Sequence, residues 1–206
     1  MFCGLHHREL ANFSKSARSE ALSVMSLLLD EGGAAILEFA IALPLLVLFV
    51  VGIYDFSGAF NQKLKMEQAA QSGAIFAGTQ PTSDITSSNG NPDSLQAVVT
   101  AVFNSLAGSG VLPNANQGTC VLPVAPGPVN VLTWTYTISG CNSAYTINND
   151  LIIVINRASV SGSPVTLCTL VTVTYPYHWR FYGMFQKLFP ASYTSLSESA
   201  TVHNQM

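Results

Sequence analysis

Gly33-Ala34-Ala35-Ile36-Leu37-Glu38-Phe39-Ala40-Ile41-Ala42-Leu43-Pro44-Leu45-Leu46-Val47-Leu48-Phe49-Val50-Val51 is the stretch on which the fold turns. From Ala34 to Tyr54 the chain carries one charge, Glu38, and no Lys or Arg. About 20 apolar residues cross a hydrocarbon core about 30 Å thick, so 34–54 reads as a transmembrane helix. A charge inside such a helix costs about 2.5–3.5 kcal/mol at its centre and less near its end. Glu38 therefore calls for a partner or a place at the headgroup level. Pro44 removes one helix hydrogen bond and crowds the carbonyl of Ala40, which predicts a kink.

A cleaved secretory signal would have a basic front and a shorter apolar core. Here the front is acidic, with Asp30 and Glu31, and the run is long. Cations before the helix (Arg8, Lys15, Arg18) nearly balance those after it (Lys63, Lys65), so charge counting sets no orientation.

Of the 206 residues, 49% are apolar and only 9% charged, against about 25% charged in ordinary soluble domains. The net charge is −3 and no basic run occurs, which argues against a nucleic-acid surface. The cysteines, Cys3, Cys120, Cys141 and Cys168, form no CxxC pair, so neither a metal site nor a cofactor is expected. In an oxidising compartment one disulfide is expected among the last three. Cys120–Cys141 is favoured because the shorter loop between them is rich in strand and turn signals, with Cys141–Cys168 close behind. These cysteines and the polar, strand-rich C-terminal part favour an outside C-terminus.

Past Tyr54 a helical stem is expected to about Gly78, with Phe60, Leu64, Ala70 and Ile75 as its apolar positions. At 1.5 Å per residue, Ala34 to Ala77 would span roughly 65 Å. Thr79 to Asn91 reads as a polar loop. Leu95, Val98, Val99, Val102, Phe103 and Leu106 recur at helical spacing, between the start signal Pro92-Asp93-Ser94 and the stop at Gly108.

Leu132, Trp134, Tyr136 and Ile138 then alternate with threonines, the period of two of a half-buried strand. Strands are also expected at 151–155, 165–175 and 193–202, with turns at Ser139-Gly140 and Ser161-Gly162-Ser163-Pro164. His178 to Phe185 is an aromatic-rich loop that would fold over the sheet edge, or dock on a membrane surface or another subunit. The expected fold is α+β: a long N-terminal transmembrane helix continuing as a stem, packed on a small antiparallel sheet with one further helix. The expected divisions are a leader (1–33), the transmembrane helix (34–54), the stem (55–78) and an extracytoplasmic α+β domain (79–206).

Gly33 to Ala40, followed by Leu43-Pro44-Leu45-Leu46, resembles the start of TadE-like pseudopilins of the tight-adherence (Flp-type) pilus system. Gly52-Ile53-Tyr54-Asp55-Phe56-Ser57 and the Ala-rich 66–74 are similar to the family's continuation, and 171–177 and 196–202 to its closing strands. The resemblance implies a single-pass protein of the bacterial inner membrane, with a cytoplasmic leader and a periplasmic or extracellular domain. It implies as partners a prepilin peptidase, other pilins or pseudopilins and the pilus assembly platform. Cutting between Gly33 and Ala34 would place Glu38 fifth and Phe39 sixth, as the family pattern requires. The leader's Asp30 and Glu31, and Ser57 and Gln71 where arginines are usual, depart from that pattern. Met25 is an alternative start that would leave a short leader.

The resemblance also implies assembly roles for Glu38, Phe39 and Pro44. A freed Ala34 ammonium, with an ordinary pKa of about 7.7–8.0, would face Glu38 of a neighbouring subunit. The competing reading is an uncleaved, signal-anchored extracytoplasmic binding domain. Nothing in the sequence assembles a catalytic constellation: Asp84, Asp93 and Asp150 have no evident partners, and Cys3, His6 and His7 cluster only near the N-terminus. An enzyme is not expected.

Overall fold

The computed structural model describes residues 31–81, 83–85, 91–123, 125–126, 129–130, 132–142, 144, 149–161, 166–185 and 191–204. Residues 1–30 of the leader, with Cys3 and the alternative start Met25, and the expected turn at 162–164 lie outside them. The elements are α1 (Glu31–Thr79), α2 (Asp93–Gly108), strands β1 (Val129–Asn130), β2 (Thr133–Ile138), β3 (Leu151–Ser161) and β4 (Thr166–His178), a short α3 (Tyr182–Phe185) and β5 (Tyr193–His203). The chain divides into two compact units between Ile53 and Tyr54.

The first unit is the apolar part of α1. Helical backbone runs through Pro44, and the large side chains from Ile36 to Val50 are exposed on every side of the helix. A helix apolar all round is made for an apolar solvent. This is the one helix among the described residues long and apolar enough to cross a membrane.

The second unit is α+β, as expected from the sequence. Its five strands form an antiparallel sheet in the order β1-β2-β3-β4-β5, each paired with its neighbour in sequence. Alternation puts one set of side chains on a core face: Trp134, Tyr136 and Ile138 from β2, Leu151, Ile153 and Ile155 from β3, Val171, Val173, Tyr175 and Tyr177 from β4. Register aligns them in rows, with Trp134 opposite Ile155, Ile155 opposite Val171 and Val171 opposite Ala200. Tyr136 lies in the next row and donates to Asn91 Oδ1 at 3.2 Å. Burial pushes its phenol up to about 12, so it stays protonated at physiological pH.

The second half of α1 and all of α2 join this core. In α2 the predicted stripe is buried throughout, from Leu95 to Leu106. In the stem, the buried positions are Ala59, Met66, Ala69, Ala70, Ala74 and Ala77. This corrects the sequence expectation: Phe60 is 64% exposed, Leu64 59% and Ile75 65%, and of the four positions named only Ala70 is inside. The reason is proximity. At Gly73 an added Cβ would collide with the Val102 side chain of α2 and stand 3.3 Å from Val171 Cγ1 of β4. A helix pressed into the angle between another helix and a sheet has little room there, so its buried face is small side chains apart from the unbranched Met66, and Phe60, Leu64 and Ile75 turn outward.

Arg157 closes the far end of the stem. It lies on the core face of β3, 5% exposed, and its Nη2 donates to the carbonyls of Ala77 and Gln80 at 3.4 Å each. These are carbonyls at the C-terminal end of α1, where a cation also meets the negative end of the helix dipole. Burial lowers the guanidinium pKa and Asp84 raises it. The same Asp84 accepts from the Ser94 N–H at 2.8 Å, at the N-terminal end of α2. A register shift in β3 between Asn156 and Ser159 brackets Arg157, whose own N–H donates to the Leu132 carbonyl at 2.9 Å.

Cys120 and Cys141 are bonded, the pairing favoured from sequence, and both are buried. Cys168 remains a buried thiol, its Sγ 3.3 Å from His203 Nδ1. The disulfide spans 21 residues, for which loop entropy gives stabilisation of about 3 kcal/mol. Reduction is expected to lower the urea midpoint by about that amount of free energy; an unchanged midpoint would show that this crosslink does not constrain the unfolded chain.

Candidate functional site

Two parts of the molecule bear on function, the exposed apolar helix and a polar clamp on the first turns of the stem. In the helix, Gly33 lies in the first turn of the described backbone and Ala34 is exposed. Glu38 heads a row formed with Ile41, Ala42, Leu45, Leu46, Phe49 and Val50. Those spacings, three, four, seven, eight, eleven and twelve residues on, define one helix face. Phe39 is 66% exposed, and Pro44 is exposed as well. None of the residues of its membrane-length window is buried. The candidate residues of the helix thus share an element; Cys120, Cys141 and Cys168 belong to the second unit.

The clamp was not anticipated from sequence. Asp55, where the apolar run stops, is only 7% exposed. The Tyr177 hydroxyl lies 3.0 Å from its Oδ1 and 3.0 Å from its backbone carbonyl. The backbone N–H of Arg180 donates to Oδ1 at 3.2 Å and that of Phe181 to Oδ2 at 3.4 Å. A carboxylate held by successive N–H groups and a phenol needs no cation beside it, because those dipoles replace its hydration. The Arg180 guanidinium turns instead to Tyr54, donating to its hydroxyl at 3.0 Å and standing 5.6 Å from its ring centroid.

Aromatic rings brace this knot. Phe56 meets Trp179 edge to face at 5.5 Å, Tyr177 meets Trp179 at 5.2 Å and Tyr54 meets Phe181 at 6.1 Å. Trp179 Nε1 donates to Thr194 Oγ1 of β5 at 3.0 Å, and about two turns along the stem Gln62 Nε2 donates to the Pro176 carbonyl at 3.3 Å. The aromatic-rich stretch after β4 therefore folds back on its own stem and on β5. Lys63 adds an ion pair to Glu198 at 3.2 Å, half exposed and worth at most about 1 kcal/mol. The sequence did contain a signal for the clamp: an acidic residue between two aromatics, matched by Tyr177 and Trp179 beyond a strand. Pairing them required knowing that the end of β4 meets the start of the stem.

Gly58 sets how close the stem lies to this strand, since a Cβ there would be 2.5 Å from the Tyr177 hydroxyl oxygen. Gly58→Ala is expected to cost about 1–3 kcal/mol by overpacking. In a Tyr177→Phe background the same change should cost clearly less, because the clashing oxygen is gone; equal costs in urea unfolding would refute the contact. Asp55→Ala, which strands a phenol and two N–H groups, is expected to cost about 2–4 kcal/mol. A variant as stable as the parent protein would remove the clamp from the account.

Among the described residues, no three His, Cys, Asp or Glu side chains converge as a metal-binding group. In comparison with known proteins, the model of the TadE-like protein family matches residues 33–74, about a fifth of the chain. No curated protein and no solved structure matches it. The matched segment begins at the proposed cut, holds Glu38, Pro44 and Asp55, and ends in the Ala-rich face of the stem. Over residues 33–74 the chain is similar to TadE-like, pilus-related proteins, and the resemblance read in its sequence holds for that segment.

Proposed function

We propose that the chain is a minor pseudopilin that takes part in building a tight-adherence (Flp-type) pilus or a related secretion filament. The observation that carries this reading is that the TadE-like match begins in an apolar helix whose large side chains are exposed on every side. In this reading α1 anchors the chain in the bacterial inner membrane through 34–54, with the leader (1–33) cytoplasmic. The stem (55–78) and the rest of the domain (79–206) lie on the periplasmic side. A prepilin peptidase cuts between Gly33 and Ala34, and the freed ammonium of Ala34 meets Glu38 of a neighbouring pilin or pseudopilin. Such a pair sets register more than strength, because desolvating two charges offsets their attraction.

The protein works by packing helices rather than by catalysis. Phe39 and Pro44 shape the surface offered to neighbours and to the assembly platform. The outward-facing Phe56, Phe60, Leu64 and Ile75 extend an apolar surface along the stem. Large apolar side chains held out of the core mark a surface that another helix is to cover.

The intact mass of the membrane-extracted protein tests the cut: a mature N-terminus at Ala34 is expected. An intact leader at steady state would favour an uncleaved signal-anchored domain, for which the acidic Asp30 and Glu31 before the helix are the supporting feature. Glu38→Ala is expected to leave membrane insertion intact and to reduce pilus assembly at least about tenfold, the loss of about 1.4 kcal/mol per subunit contact. Normal piliation in that variant would end the assembly role of the carboxylate.

A further inference from the structure

Beside the clamp, an open polar cleft of about 490 Å³ lies between the first turns of the stem and the end of β4. Lys65 and Arg180 bring cations to its wall, with His178 as a titratable third, and Asn61, Asn142 and Ser57 bring neutral donors. Among the described residues, none that lines it is acidic. Asp55 is close in sequence to this wall, but its carboxylate is occupied by Tyr177 and two backbone N–H groups. The Arg180 guanidinium carries five N–H donors, and its bond to Tyr54 is made from Nη1. The hydrogen bonds to Asp55 leave its charge in place, so it offsets one of the two cations, Lys65 and Arg180, and the described wall keeps a net positive charge and several donor groups.

Its place along the helix narrows what it would receive. The apolar run ends at Tyr54, and the stem residues lining the cleft begin at Tyr54 and Ser57. At about 1.5 Å per residue, Ser57 to Asn61 stand roughly 4–10 Å beyond that end and the Lys65 backbone roughly 16 Å, so Lys65 meets the headgroup only by reaching back with its long side chain. The headgroup layer of a bilayer occupies about 5–8 Å on each side of the hydrocarbon. Tyr54, Trp179 and Phe181 cluster at the same level, where tyrosine and tryptophan are favoured at membrane surfaces.

We infer that the cleft formed by Ser57, Asn61, Lys65, Asn142, His178 and Arg180 binds the phosphate of an anionic glycerophospholipid headgroup. Arg180 and Lys65 supply charge to the phosphate oxygens, and the asparagines and Ser57 donate to the remaining phosphate and headgroup hydroxyl oxygens. A zwitterionic lipid fits less well, because its ammonium would meet a wall of net positive charge. Bound lipid would fix the depth at which the clamp meets the bilayer. This inference rests on the membrane-anchor reading of α1, and its test separates the two.

The full chain is reconstituted in nanodiscs of phosphatidylcholine containing phosphatidylglycerol, then released and weighed by native mass spectrometry with its retained lipid. Preferential retention of one phosphatidylglycerol, at least about tenfold over phosphatidylcholine, is expected. Lys65→Gln together with Arg180→Gln should reduce that preference at least about fivefold. Lys65→Gln alone leaves the Asp55 clamp intact and should give a partial loss, with an unchanged thermal midpoint verifying its fold. Excess inorganic phosphate is expected not to displace the lipid; displacement would assign the cleft to a free anion instead and overturn the lipid. Retention indifferent to headgroup or to both substitutions, in protein that stays embedded, would overturn the inference and leave the anchor standing. Failure of the chain to enter nanodiscs would overturn the anchor reading and this inference with it.

Discussion

The core face of the sheet is closed by a helix surface made mostly of Ala and Gly, and the arrangement of the second unit depends on that close approach. Gly73 sits where α2 and β4 both press against the stem, and Ala59, Ala69, Ala70, Ala74 and Ala77 continue the same face. A larger side chain on that face would push the helix off Val171 and Val102 and open voids in a core that has no spare volume. Small residues also leave the stem little side-chain entropy to lose on packing, which partly offsets the modest apolar area each one buries. The consequence for the surface is direct. Apolar bulk that the inner face cannot hold is displaced to Phe56, Phe60, Leu64 and Ile75 on the outside.

The two ends of the stem are fixed by buried charge handled in opposite ways. At Asp55 a carboxylate is held by a phenol and two backbone N–H groups, so the end of β4 is tied to the turn of helix where the apolar run stops. At Ala77 and Gln80 a guanidinium from the middle of the sheet holds the closing carbonyls. Each bond joins positions far apart in the chain, and each would leave a costly buried group if broken. The stem is therefore anchored to the sheet at both ends by specific polar contacts, while the packing between them rests on alanines and one large side chain, Met66. Polar contacts of this kind select one register where an Ala-rich face alone would permit sliding.

A helix with apolar surface all round before residue 54 and one tightly packed face after it carries two kinds of information. The first half is written for an apolar solvent, with Glu38 the one charge between Ala34 and Tyr54. The second half is written for a particular sheet. The TadE-like match crosses from one to the other, ending at residue 74 inside the packed face. It includes Asp55, so the residue that ties helix to sheet lies within the segment similar to that family.

Much of this was legible in the sequence because it depends on local periodicity. The stripe of α2, the alternation of Trp134, Tyr136 and Ile138, the run at 151–155 and the membrane-length segment each follow from spacing along a single element. The Cys120–Cys141 pairing was favoured for its short, turn-rich loop. The buried face of the stem was misread because side-chain size was taken as the guide to burial, whereas the distance between helix and sheet selects for smallness. Asp55 carried only the weak signal of an acid between two aromatics, and Arg157 none: an acid at the end of an apolar run and a lone cation in a strand look alike whether solvated or buried. The sequence by itself determined which elements form and that one of them is suited to a membrane. Only the tertiary structure decided which face of the stem turns inward and which charges go inside with it, because both follow from contacts between residues up to 126 positions apart.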